Sequence, residues 1–363
     1  LNRNKEAGMD TQPREARFWK PLVDKPAHAA ADAAGGSVQC RLCSHFCVIR
    51  DGARGLCGVR RNQGGRLFSL VARLPAAISV DPVEKKPLYH FLPGTRTFSF
   101  GTMGCNLSCS FCQNAQLSQS PRLGQPLAGH ALPPEALVAA AIDSGSKSIS
   151  YTYSEPTVFF ELVEDTARLA LARGLKNIFV TNGFMSPECL DACGDAQNGL
   201  IQAANVDLKA FTEAFYKDQC GARLVPVLKN LARMRELGWW LEVTTLLIPG
   251  LNDGDAELTE LTAFLVRELG EGTPWHISRF HPEYRLTDRP VTPLQTLVRA
   301  REIGLAAGLR FVYVGNASGP GFGDTRCPGC GALLIEREGF RMRGGVPGGR
   351  CGACGALVPG VWD

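Results

Sequence analysis

Residues 101–116 read GTMGCNLSCSFCQNAQ and place Cys105, Cys109 and Cys112 in a C-x3-C-x2-C pattern with no fourth cysteine close by. Thiols this near in sequence pair poorly as disulfides but converge readily on a metal. Structural cysteine sites usually close with four ligands, whereas a catalytic site keeps a position open. Three thiolates on a four-iron cube leave one iron without a protein ligand. The spacing alone also admits a zinc ion completed by a distant residue.

The chain around this loop fixes its structural setting. From Thr97 onward, short β-branched or aromatic runs alternate with amphipathic stretches. The expected strands are TFSFG (97–101), SISYTY (148–153), NIFVT (177–181), AANVDL (203–208), LEVTTLLI (241–248), WHISRF (275–280) and RFVYVG (310–315). Helices are expected over 133–143, 157–173, 223–237, 255–269 and 292–307. The helix over 157–173 has Phe159, Leu162, Val163, Thr166 and Ala170 at helical spacing and Gly174 as its stop. Repeated β/α order predicts an α/β fold, a parallel sheet closed partly or fully into a barrel with helices outside. Chemistry in such folds sits at the carboxyl ends of the strands, where the three-cysteine loop falls.

Composition agrees with a globular enzyme-sized chain. It has 363 residues, 45% hydrophobic and 20% charged, with a net charge of +4. That charge gives no global case for nucleic acid or membrane binding, and no run of 18 apolar residues suggests a membrane span. Residues 1–20 carry charges throughout and no apolar core of a secretory signal, so a reducing cytoplasm is expected.

Eleven of the fourteen cysteines fall in three clusters. Cys327, Cys330, Cys351 and Cys354 form C-x2-C-x20-C-x2-C in two Gly-containing knuckles, the pattern of a structural zinc ribbon, with a rubredoxin-like iron as the minor alternative. So short a segment cannot build its own core, so the metal is expected to hold it together. Cys40, Cys43, Cys47 and Cys57 form C-x2-C-x3-C-x9-C, with His45 as an alternative ligand. Spacing leaves zinc and an auxiliary iron–sulfur cluster both open here, with a structural site slightly preferred. The expected organisation is a loosely ordered start (1–36), a Cys-rich metal-binding segment (37–75), the barrel (76–318, with 76–96 as a connector) and a zinc-ribbon-like domain (319–363).

The motif C-x3-C-x-aromatic-C, with Phe111 as the aromatic, resembles the signature of the radical S-adenosylmethionine (SAM) superfamily. That resemblance implies a 4Fe-4S cluster whose open iron chelates SAM, reductive cleavage of SAM and a 5′-deoxyadenosyl radical. It also implies roles for residues at successive strand ends. YSEP (153–156) stands where relatives carry Gly-Gly-Glu-Pro, with Tyr153 and Ser154 as departures and Glu155 retained. TNG (181–183) contributes Asn182, DLK (207–209) contributes Asp207 and Lys209, LLIPGLND (246–253) lies near the adenine, and RFHP (279–282) contributes His281.

The N-terminal cysteines, DPVEKKPLYHFLPG (81–94), GCNLSCSFCQNAQ (104–116), YSEPTVFFE (153–161) and WHISRFHPEY (275–284) together resemble one subfamily. It is the radical SAM enzymes of the AmmeMemoRadiSam system, related to pyruvate formate-lyase activating enzymes. This implies an electron donor such as flavodoxin or ferredoxin, and AMMECR1-type and Memo-type proteins as partners. The substrate, a protein, peptide or small molecule, stays unassigned. A glycyl-radical-enzyme activase is one alternative. Another, of a different class, is a zinc-dependent nucleic-acid-binding protein without catalysis, suggested by seven arginines against one acidic residue over 41–73. Of the remaining thiols, Cys189 and Cys193 read as core residues. Cys220 follows the fourth strand, where a radical-relay or substrate role stands beside a plain structural one.

Overall fold

The computed structural model describes residues 13–22 and 36–362. Its centre is an eight-stranded sheet: β1 (Pro75–Pro82), β2 (Arg96–Thr102), β3 (Ser148–Tyr151), β4 (Lys176–Thr181), β5 (Ala203–Asp207), β6 (Trp240–Leu247), β7 (Trp275–Arg279) and β8 (Val312–Gly315). Each strand pairs with its sequence neighbour. Strands β2 to β8 are parallel, and β1 runs antiparallel to β2. The end strands β1 and β8 do not pair, so the barrel is open along one side.

The crossovers carry α1 (Pro134–Asp143), α2 (Phe160–Ala172), α3 (Pro187–Cys193), α4 (Leu224–Glu236), α5 (Asp255–Phe264) and α6 (Leu294–Ala306). Helix α2 buries Leu162, Val163, Thr166, Ala167 and Ala170 along one stripe and stops at Gly174, whose φ is +74°. Strands covered by helices read as near-continuous apolar runs, as in β4, where Ile178 and Phe179 are both buried. The outer face of β2 and β3 carries Phe98, Phe100, Ile149 and Tyr151 in the main core. Their other face carries Thr97, Ser99, Ser148 and Ser150, with Thr97 and Ser150 hydroxyls 2.7 Å apart.

Two expectations change. Residues 76–96 are not a loose connector. They supply β1 and then a segment of which Val83, Leu88, Phe91 and Leu92 are buried with Ile178 and Ala203. Of the start read as loosely ordered, residues 1–12 and 23–35 lie outside the described residues. Residues 13–22 supply two short strands: Arg14–Glu15 pairs with Arg66–Ser69, and Trp19–Pro21 pairs with Val38–Cys40. The Cys-rich segment shares the barrel's core through Val38, Leu42, Ile49, Val59 and Leu67. The C-terminal unit forms an antiparallel sheet of Thr325–Arg326, Leu333–Glu338 and Arg341–Gly344. It docks under the barrel around Tyr313, Ile335, Val346 and Val358.

Candidate functional site

Strand β2 delivers the three-cysteine loop to the carboxyl end of the sheet. Arg122 holds that loop by donating one Nη2 to the carbonyls of Cys105, Asn106 and Leu107, 3.2 to 3.4 Å away. On the other flank, Ser108 N and Ser110 N donate to the carbonyls of Cys220 and Gln219 at 2.8 and 2.9 Å. The loop is therefore held by protein contacts on both flanks.

The three sulfurs face one another electrostatically, yet no three ligand atoms there come as close as those of the C-terminal cysteine set. This spread suits a multi-iron cluster better than one ion, and the residues present therefore fit a 4Fe-4S cube. Burial pushes the Cys105 and Cys112 thiols up. Cys109 is pulled down, first because the Cys220 thiol donates to it and then because Lys209 lies near.

The strand-end residues separate into two groups. Glu155 is buried and accepts from Thr157 N (3.1 Å), Thr157 Oγ1 (2.6 Å), Thr181 Oγ1 (2.7 Å) and Asn182 N (2.8 Å). It bolts the end of β3 to the end of β4. Burial raises its pKa, with those four donors working against the rise. Asn182, so fixed, donates to Asn106 Oδ1 at 2.8 Å and reaches Cys105 Sγ at 3.8 Å. On the other side Lys209 Nζ pairs with Asp207 at 2.8 Å. Burial works to neutralise Lys209, but Asp207, Cys109 and Cys220 outweigh it and hold the ammonium well above its usual range. Asn252, from the loop after β6, donates to the Lys209 carbonyl at 2.7 Å and keeps this strand end in place.

Four residues behave differently from a simple contact role. Tyr153 occupies a left-handed backbone conformation, φ +67°, where a glycine is the unstrained choice. Its side chain leaves the cysteine loop and donates to Asp81 Oδ2 at 2.9 Å, with Lys86 Nζ 4.7 Å from the ring centre. Burial would raise the Asp81 carboxyl, but Lys86, Lys85 and Tyr153 hold it far below the carboxylate range. Ser154 Oγ donates to the Thr102 carbonyl at 2.7 Å. The peptide groups of 153–154 are therefore anchored while their side chains are spent elsewhere. His281 is exposed on the loop after β7. Cys220 is fully buried rather than at a mouth.

The C-terminal cysteines close as a single-ion site: Cys327 and Cys354 sulfurs are 3.6 Å apart, Cys330 and Cys351 3.8 Å. All four sulfurs lie within 4.8 Å of one another. His45, offered as an alternative ligand, instead places Nε2 2.8 Å from the Asn106 carbonyl. Of the arginines of 41–73, Arg60 is buried against Glu161, while Arg41 and Arg66 form surface pairs with Glu188 and Glu15. Asn106 and Arg122, which shape the loop, escaped the sequence reading because Asn in a turn and a lone Arg carry no signature.

Comparison with known proteins follows the same lines. The sequence profile of the radical SAM superfamily matches residues 100–262. An uncharacterized protein of Methanocaldococcus jannaschii is 40% identical over 348 residues, 95% of this chain and 98% of that protein. The mitochondrial GTP 3′,8-cyclase of Arabidopsis thaliana is 24% identical over 262 residues, 66% of this chain and 64% of the cyclase. A radical SAM methyltransferase structure from Sphaerobacter thermophilus superposes with a TM-score of 0.48 at 19% identity, over 62% of this chain and 67% of that one. No helix among the described residues is long and apolar enough to cross a membrane. With an open parallel barrel, a three-thiol loop at its carboxyl end and a matching profile over that region, residues 100–262 form a radical SAM domain.

Proposed function

We propose that this protein cleaves S-adenosylmethionine reductively and uses the 5′-deoxyadenosyl radical to take a hydrogen atom from a substrate. A 4Fe-4S cluster on Cys105, Cys109 and Cys112, with one iron left to the SAM amino and carboxylate groups, supplies the electron when bound. The reading rests on the three-thiol loop at the end of β2. A further thiol, Cys220, lies close enough to Cys109 to influence it. The anchored 153–154 peptide groups, Asn182 and the Lys209–Asp207 pair line the rim, where they suit a charged amino acid moiety. His281, exposed on the loop after β7, is assigned to SAM on the sequence resemblance.

The finer assignment follows the sequence resemblance. We place the chain in the AmmeMemoRadiSam group, related to the pyruvate formate-lyase activating enzymes, with a flavodoxin or ferredoxin as reductant and AMMECR1-type and Memo-type proteins as partners. Zinc suits the C-terminal site, because a Zn–S bond of about 2.3 Å sets tetrahedral sulfurs about 3.8 Å apart, close to the spacings there. A nucleic-acid-binding role leaves the open three-thiol loop unexplained and loses Arg60, which is buried against Glu161. The test is anaerobic reduction of the iron-loaded protein with SAM. The wild type should release methionine and 5′-deoxyadenosine, and Cys109→Ala should release neither. Turnover retained by that variant would overturn the assignment. Deuterium transfer from labelled candidates into 5′-deoxyadenosine then identifies the substrate.

A further inference from the structure

The two four-cysteine sets differ in how far apart their sulfurs stand. A tetrahedral zinc needs sulfurs about 3.8 Å apart, and the C-terminal set meets this. The N-terminal set does not. Among the described residues, only the C-terminal cysteines bring three or more ligand atoms within 4.8 Å of one another. Cys40, Cys43, Cys47 and Cys57 nonetheless line one cavity, walled by Leu42, Ile49 and Val158. Cys40, Cys47 and Cys57 all lie within electrostatic reach of Cys43. The thiols of the Cys105 loop likewise do not come within 4.8 Å of one another as a set of three.

We propose that Cys40, Cys43, Cys47 and Cys57 hold a second iron–sulfur cluster, a 4Fe-4S cube with every iron ligated by protein, and not zinc. One thiol per iron spreads the sulfurs around a cube. A two-iron cluster places two thiols on each iron and needs close sulfur pairs, like those of the C-terminal set; none of these four makes such a contact. The surroundings supply what an electron-rich cluster requires. Arg60, fully buried, directs Nη1 to Cys40 Sγ at 3.4 Å. Backbone N–H groups of His45, Leu56 and Val59 lie on the side of Cys43, Cys47 and Cys57 respectively. Hydrogen bonds to sulfur and a low-polarity wall are the protein's means of setting cluster potential.

The cavity also abuts the catalytic loop. Asn106, adjacent in sequence to Cys105, lines it, accepts from His45 through its carbonyl and receives Asn182 on its side chain. Gly104 makes this closeness tolerable: its φ is +99°, and a Cβ there would lie 2.6 Å from Val59 and 3.0 Å from the Cys57 carbonyl. Asn106 thus belongs to the surroundings of both cysteine sets.

The test uses the full chain, reconstituted anaerobically with iron and sulfide in the presence of zinc. The triple variant C105A/C109A/C112A should keep about four irons and four sulfides, one zinc and a paramagnetic signal on reduction. A colourless triple variant with about two zinc ions would overturn the proposal. The double variant C43A/C57A should lose half of the wild-type iron while keeping the SAM-responsive cluster; unchanged iron would also overturn it. If either variant fails to fold, the wild-type count decides: about eight irons and one zinc support the second cluster, about four irons and two zincs refute it. Iron retained by the triple variant but lost from C43A/C57A, with no second cluster in the wild type, would fault the SAM-site assignment and leave this one standing.

Discussion

Replacing His90 with Asn should flatten the acid sensitivity of the fold. His90 is fully buried where the C-terminal unit meets the barrel. Its Nδ1 lies 2.7 Å from the Pro359 carbonyl and its Nε2 2.6 Å from the Tyr313 hydroxyl. In the neutral imidazole Nδ1 donates to the Pro359 carbonyl, so Nε2 accepts from the Tyr313 hydroxyl, whose oxygen also bonds Thr325 Oγ1 at 2.8 Å. Burial holds the imidazole at about 4, against the pull of Glu242 and the Pro359 carbonyl. An unfolded histidine titrates near 6.5, so below that pH the unfolded chain takes a proton that the folded one refuses. Stability is therefore complete above about pH 6.5 and is lost as pH falls toward 4. The full loss is about 3 kcal/mol, of which about 2 kcal/mol falls between pH 7 and pH 5. Denaturant unfolding of the metal-replete protein at both pH values measures it, read by tryptophan fluorescence, since Trp240 and Trp362 stand 6.2 and 5.1 Å from the His90 ring. His90→Asn should be weaker at pH 7 yet lose about 2 kcal/mol less on acidification. Metal ligands and carboxylates are common to both proteins and cancel. Equal losses would refute the argument.

Two further outcomes follow from the site itself. Glu155→Ala strips the acceptor from three residues, one of them through two donors. At about 1.5–3 kcal/mol for a hydrogen bond to a charged group, it should cost at least about 3 kcal/mol and speed amide exchange over 181–183; an unchanged exchange pattern would remove the bolting role assigned to it. Cys220→Ala should keep the iron content but lower the midpoint potential of the catalytic cluster, because a donor to the Cys109 sulfur is gone. Loss of iron would instead make Cys220 a ligand.

Much of the barrel was legible because its signal is periodic. Each of the seven expected strands appears with edges shifted by at most two residues, and the stripe of α2 matches the residues named from spacing. Strand β1 was not legible. Its burial alternates weakly, with Ile78 and Val80 left partly exposed on an edge, and Pro residues at both ends read as connector. The cysteine clusters were visible as spacing, but spacing cannot give sulfur separation, which here distinguishes the two four-cysteine sets. Tyr153 shows the converse limit. A tyrosine in a glycine's place looked like a loss, whereas Asp81 and Lys86, about seventy residues earlier, receive its side chain and leave the backbone turn intact.

The chain leaves the sheet at β8, builds the C-terminal metal unit, and returns so that Val361 and the 90–92 segment exchange backbone hydrogen bonds of 2.7 Å on both sides. That unit is therefore a closed loop, moored at its root and at its tip. Stripping its ion should loosen the knuckles without casting the segment adrift, because the mooring at Val361 does not pass through sulfur. Chelation would then act as a reversible slackening at the base of the barrel, remote from the iron chemistry at its rim.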